Sequence, residues 1–308
     1  MRSTTNFPKS TRLPPSNLFT EAPVGSNVAI CLIAFLITAC GLLAYRPAIA
    51  DGLVESRTIT VEAGYDSDKS KTWYLEFQLG LSSGYWIYLA AQNNDVASED
   101  GFKFDSRSYI AGFGSDPDAK FNYDITYENW GNPGLFDTDA LRATITWVPG
   151  DWAFYIMPQY RQIDLANIDN NDSISFSERG LGAGVRYAGI PDWTLYLEQY
   201  EYRFSKDPDF LNDIGVTDNL TYTATSLESG LYDYETVLGI SRWLAPANIT
   251  LQHIRDKSAI DNSIVKTSEA EVDYYVSDAF VPYLRVGRAS FRGYSPLWYG
   301  NIGLQFAW

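Results

Sequence analysis

A net charge of −15 on 308 residues, with a sequence pI near 4.4, sets this chain against nucleic acid, whose phosphates need the opposite sign. Histidine occurs once, so general acid–base and metal chemistry are short of their commonest side chain. The two cysteines, Cys31 and Cys40, both lie near the front, so disulfides contribute nothing to whatever folds behind them.

Residues 1 to 27 are polar and include Arg2, Lys9 and Arg12. The apolar run "VAICLIAFLITACGLLA" follows, then Arg46, Pro47 and "AIA" before Asp51. A basic segment, an apolar run and an A-x-A site read as a secretory signal peptide over 1–50, cleaved after Ala50. A signal anchor is the runner-up, because the run approaches spanning length. "ITAC" also has the shape of a lipoprotein site at Cys40, but it would leave an apolar stub on the product. Residues 51–308 then form one domain. Of the 23 basic and 38 acidic residues, four and one lie in the leader, leaving 19 against 37.

Behind Ala50 the pattern is period-two alternation, the mark of strands with one apolar face. "TITVEAGY" sets Ile59, Val61, Ala63 and Tyr65 against Thr58, Thr60, Glu62 and Gly64; "WYLEFQL" sets Trp73, Leu75, Phe77 and Leu79 against Tyr74, Glu76 and Gln78. "FNYDITYE", "LRATITW", "LGAGVRY", "EAEVDYYV" and the terminal "NIGLQFAW" repeat the scheme, with charge kept to the non-apolar face. The candidates are fourteen: 55–65, 71–82, 84–92, 104–113, 120–129, 139–148, 151–162, 180–189, 192–204, 231–241, 247–256, 267–277, 280–289 and 298–308. Twelve or sixteen strands stay open as counts. Short connections ("SSG", "GSDPDA", "PG", "IP", "LAPA", "DA") alternate with longer ones, chiefly 163–179 and 205–230.

The expected fold is all-β, a transmembrane antiparallel barrel, since most strands are near the ~9–11 residues a tilted strand needs to cross a bilayer. Trp86, Trp147, Trp152, Trp193, Trp243 and Trp308 stand beside the short turns, as an interfacial girdle at one rim requires. A secreted β-sandwich would alternate too. The barrel accounts better for charged or strongly polar groups on the non-apolar face of strand after strand and for export without disulfides.

The ending "NIGLQFAW" resembles the C-terminal assembly signal of bacterial outer-membrane β-barrels, with Asn301, Gly303, Phe306 and Trp308 at the family's spacing; Trp replaces the usual terminal Phe. The resemblance implies a porin-like barrel of unrecognised subfamily, inserted into the bacterial outer membrane by the barrel assembly machinery. With the strand count it implies a channel for passive diffusion of small hydrophilic solutes. The alternative is a structural or adhesive barrel with a plugged lumen and loops that bind a partner or calcium.

On the inner faces of the clearest strands Glu62, Glu76, Asp124, Glu128, Glu269, Glu271 and Asp273 stand against Arg142 and Arg186, an excess that would bias a water-filled pore toward cations. Arg161, Arg203, Arg255, Arg285 and Arg288 are candidates for a basic strip facing them. "NIDNNDSISFSE" resembles a calcium-binding loop through Asn167, Asp169, Asn171, Ser173 and Glu178, though Asp172 stands where that loop needs Gly and flanking helices are missing. A plain polar loop is the simpler reading, and no other cofactor is expected. No catalytic constellation surrounds the lone His253, so no enzyme is expected, and "GLGAG" (180–184) reads as small residues on a crowded inner wall.

Overall fold

The computed structural model describes residues 54–67, 69–97, 103–132, 136–166, 173–208, 231–290 and 295–308. The expected leader, 1–50, and 209–230 of the expected long loop lie outside them. The described residues form fourteen strands: β1 (Val54–Asp66), β2 (Lys71–Leu81), β3 (Tyr85–Ala97), β4 (Lys103–Ser115), β5 (Phe121–Asn132), β6 (Phe136–Trp147), β7 (Trp152–Ala166), β8 (Ser173–Tyr187), β9 (Trp193–Phe204), β10 (Tyr232–Leu244), β11 (Ala247–Ser258), β12 (Ile264–Tyr274), β13 (Phe280–Ser290) and β14 (Leu297–Ala307). Each pairs antiparallel with its sequence neighbours, and β14 returns to β1 to close the barrel. Closure removes the exposed edges an open sheet would present. At the seam Arg57 and Trp308 exchange backbone hydrogen bonds of 3.1 and 3.0 Å, so the ladder is complete to the final residue.

Alternation decides which face each side chain takes, because successive residues of a strand point to opposite sides. Val61, Leu75, Ile125, Ile145, Ile156, Leu197, Leu251, Leu284 and Ile302 face outward and are exposed, with aromatic rings above and below them. At the end with the shorter turns the rings touch: Phe121 stacks on Trp147, Trp147 meets Phe154, and Trp152 lies 4.5 Å from Tyr187. Trp193, under the Arg242 guanidinium, and Trp308 belong to the same outer rim. Trp86 and Trp243 do not. They alternate onto the inner face, Trp86 donating to the Ser115 carbonyl at 3.0 Å and Trp243 packing on Tyr275, so the girdle is smaller than expected. Gly84 and Gly150 turn two of the hairpins with φ of 80° and 67°, a conformation other residues resist.

Over β5–β9 the two faces exchange polarity toward the opposite end. On the outside, Leu141 gives way to Asp139 and Asp137, Tyr160 to Gln162 and Asp164, and Leu181 to Arg179, Ser177 and Ser175. On the inside, Glu128 gives way to Trp130, Arg161 to Ile163 and Leu165, and Glu178 to Phe176 and Ile174. Trp130, Phe136, Ile163, Leu165, Phe176, Leu231 and Ile260 form one buried apolar cluster. These strands thus run past the outer apolar band and become a water-facing wall with a core of its own.

This exchange corrects the expected loop 163–179. β7 continues to Ala166 and β8 begins at Ser173, leaving 167–172 between them. The expected contrast between short turns and long loops weakens likewise: at the far end β2 begins at Lys71 soon after β1 ends at Asp66, and β6 at Phe136 soon after β5 ends at Asn132. β9 ends at Phe204 and β10 begins at Tyr232.

Candidate functional site

The inner wall is the candidate site. Glu62, Glu76, Asp124, Glu128, Arg142, Arg186, Glu269, Glu271 and Asp273 all lie on it. Alternation also places Glu178, Glu198, Glu235 and Asp256 there, in strands whose sequence pattern was less regular. Of the arginines considered for a basic strip, Arg161 and Arg285 face inward, whereas Arg203, Arg255 and Arg288 are exposed on the outer face. A one-residue difference in register reverses a side chain, which is why spacing within single strands could not sort them.

Two networks organise these groups. On β12–β14 and β1, the Arg285 guanidinium reaches Glu271 at 2.6 Å, Glu269 at 3.4 Å and Glu62 at 3.6 Å. Tyr299 donates to Glu269 at 2.7 Å, Tyr283 to Glu62 at 2.6 Å, and the Asn301 amide to Glu62 at 2.8 Å. Three carboxylates around one guanidinium leave a local excess of negative charge, held in place by phenol and amide donors. On β6–β8, Arg142 donates to Gln159 at 2.9 Å, Gln159 to Glu178 at 3.0 Å, and Arg161 pairs with Glu178. Between the networks Tyr155 and Tyr200 both donate to Glu198.

Many of the inward tyrosines lie over a glycine on the adjoining strand. A Cβ on Gly182 would sit 2.6 Å from the Tyr200 ring, on Gly303 2.1 Å from Tyr283, and on Gly112 1.9 Å from Tyr88. Gly180 and Gly184 stand in the same relation to Tyr202 and Tyr155, which accounts for the "GLGAG" run. Glycine lets the ring lie against the wall, so a bulky aromatic takes less of the lumen. Fourteen strands fall between barrels of eight, which side chains fill, and those of sixteen or more, which hold an aqueous channel. Ring orientation therefore matters to the bore.

The terminal motif divides by face. Asn301 and Gly303 point inward, under Glu62 and Tyr283. Phe306 and Trp308 point outward, Phe306 stacked 4.9 Å from Phe280. Of the calcium-loop residues, Asn167, Asp169 and Asn171 lie outside the described residues, as does the side chain of Ser173. Glu178 is fully buried in the wall, held by Arg161 and Gln159. His253 is exposed on the outer face, 3.0 Å from Ser268 Oγ on the neighbouring strand. Sequence spacing could not foresee that contact, and no carboxylate accompanies it there among the described residues.

No protein-family model and no curated protein matches this sequence. Among solved structures, a KdgM porin is similar at 12% identity over 81% of this chain and 98% of its own, with a TM-score of 0.43. A NanC porin is similar at 11% over 80% and 98%, with a TM-score of 0.45. An anion-selective porin from Comamonas acidovorans is similar at 9% over 83% and 99%, with a TM-score of 0.43. The assignment as a barrel rests on the closed strand ladder itself.

Proposed function

We propose that this protein is a channel of the bacterial outer membrane that lets small hydrophilic solutes diffuse through its lumen and favours cations. One observation carries the proposal: a closed ladder with an apolar band outside and a carboxylate-rich wall inside. Hydrocarbon tolerates no unpaired backbone, so a complete ladder suits a bilayer, and the outer band supplies the matching surface. Inside, carboxylates outnumber guanidiniums, and an acidic wall lowers the energy of a cation relative to an anion. The passage needs no reaction and no cofactor. Phe306 and Trp308, outward at the seam, are the residues we assign to recognition by the assembly machinery.

The buried apolar cluster from Trp130 to Ile260 favours a second reading, a barrel shut at that mouth. Planar-bilayer recording separates the two. The channel reading expects steady single-channel steps and, across a tenfold potassium chloride gradient, a reversal potential of the sign set by potassium. Silence in the recording would support the shut barrel, and a reversal of the opposite sign would remove the cation preference alone.

A further inference from the structure

Outside the barrel, one arc of the rim carries charge for which the proposed channel has no use. From β8 to β13 the outer face just beyond the apolar band presents Arg179, Arg203, Arg255, Lys266 and Arg288, all exposed. Arg179 faces Arg203 directly across the ladder, and Arg255 faces Lys266. Like charges in that position repel, with about 5 Å between Cβ atoms. Among the described residues none of the five has an ion-pair partner. Among the described residues the acids on this arc are Glu201 and Asp233, and Asp233 is taken by Lys257. On the adjoining β6 and β7 the outward charges change sign to Asp137, Asp139 and Asp164. In a chain of net charge −15, a lone basic arc runs against the average and against its own repulsion.

The wall below the arc fits a polar head-group level rather than bare hydrocarbon. Gln199, Thr236, His253 and Ser268 replace the aliphatic and aromatic residues of other strands there, joined as Thr236 to Gln199 at 2.6 Å and His253 to Ser268 at 3.0 Å. Arg255 lies over the Tyr234 ring at 5.7 Å and Arg288 over Trp298 at 5.5 Å. Stacking on interfacial rings holds the guanidinium stems to the wall and leaves their donors directed outward.

We infer that this arc binds the phosphates of an anionic membrane lipid, one bearing phosphomonoesters with no amine to offset them. The inference rests on the membrane-channel reading. Guanidiniums form paired hydrogen bonds to phosphate oxygens, and two facing cations can share one phosphate or bridge two. The lipid then supplies the negative charge that relieves Arg179–Arg203 and Arg255–Lys266.

The test uses the full chain purified in neutral detergent, with diphosphoryl lipid A and phosphatidylcholine as probes and native mass spectrometry as the readout. The wild type is expected to retain lipid A and not phosphatidylcholine. Each cation neutralised is expected to weaken lipid A binding about fivefold. R179Q/R203Q and K266Q/R288Q are tested apart as well as together, so that failure of the combined variant to fold leaves two readings in hand. K120Q, a cation in a turn at the other end, should leave binding unchanged. Equal lipid A binding by the wild type and either double variant would overturn the inference, as would equal affinity for phosphatidylcholine. Faster migration of unboiled than boiled protein checks the closed barrel separately, so loss of the arc and loss of the barrel read differently.

Discussion

The Tyr200 ring occupies the space that a side chain on Gly182 would need. Adding one forces the ring off the wall and into the lumen, or strains the ladder. Gly182→Val is therefore expected to cost about 1–3 kcal/mol, as overpacking does. It should lower both the temperature at which the fast-migrating form is lost and the single-channel current. An unchanged current would mean that the ring is not what sets the bore there. Asp261, in the connection between β11 and β12, makes a different residue-scale case. Burial, the largest influence, raises its pKa, but hydrogen bonds from Ser263 and Ser258 together hold it below its ordinary 3.8. A carboxyl depressed on folding stabilises above its unfolded pKa and stops doing so as pH falls through the folded value. The stability gap between wild type and Asp261→Asn should thus be constant above pH about 4 and close below it. A gap that persisted in stronger acid would count against the assignment. Alternation made the face of Glu62 or Glu76 legible in the sequence, but not their partners. Nothing local in "EAEVDYY" says that Glu269 and Glu271 share Arg285, because that meeting depends on the cross-strand register of β12 and β13.

Strands with unbroken alternation were legible almost to their ends, β9 and β11 among them, whereas β8 was not. Its first seven residues carry Ile174 and Phe176 on the face that holds Glu178 and Arg186 further along, so a search for one constant apolar face stops at Gly180. The exchange is also testable. Ile145→Arg puts a charge on the outer apolar band and is expected to cost about 2–4 kcal/mol in lipid. Asp164→Arg, on the same outer face beyond the exchange, should cost little. Ile163→Arg, one residue away and buried inside, should be severe although its position lies beyond the band. Equal costs for the first two, from unfolding in vesicles with urea, would refute the placement of the boundary. At the seam, deleting Trp308 removes both backbone bonds to Arg57. The fast-migrating form should appear more slowly on refolding into vesicles, whereas Trp308→Phe should keep the wild-type rate.

For the molecule as a whole the decisive quantity is the balance of charge along the lumen. Glu269→Gln with Glu271→Gln strips two carboxylates from the Arg285 cluster and leaves Glu62. The reversal potential should move toward zero while the current persists. An unmoved potential would place the selective region elsewhere, in the Arg142–Glu178 or Glu198 region. Fold class and strand number were legible because lipid and water impose one period on every crossing. The shape of the mouth was not, since it is built where that imposition ends. Over β5–β9 the strands run on past the apolar band, with Asp137, Asp139 and Asp164 outside and the cluster around Trp130 and Ile163 inside. A stretch that turns acids outward and packs rings within is suited to water on its outer side, so on this flank the barrel is expected to outlast the membrane that surrounds it.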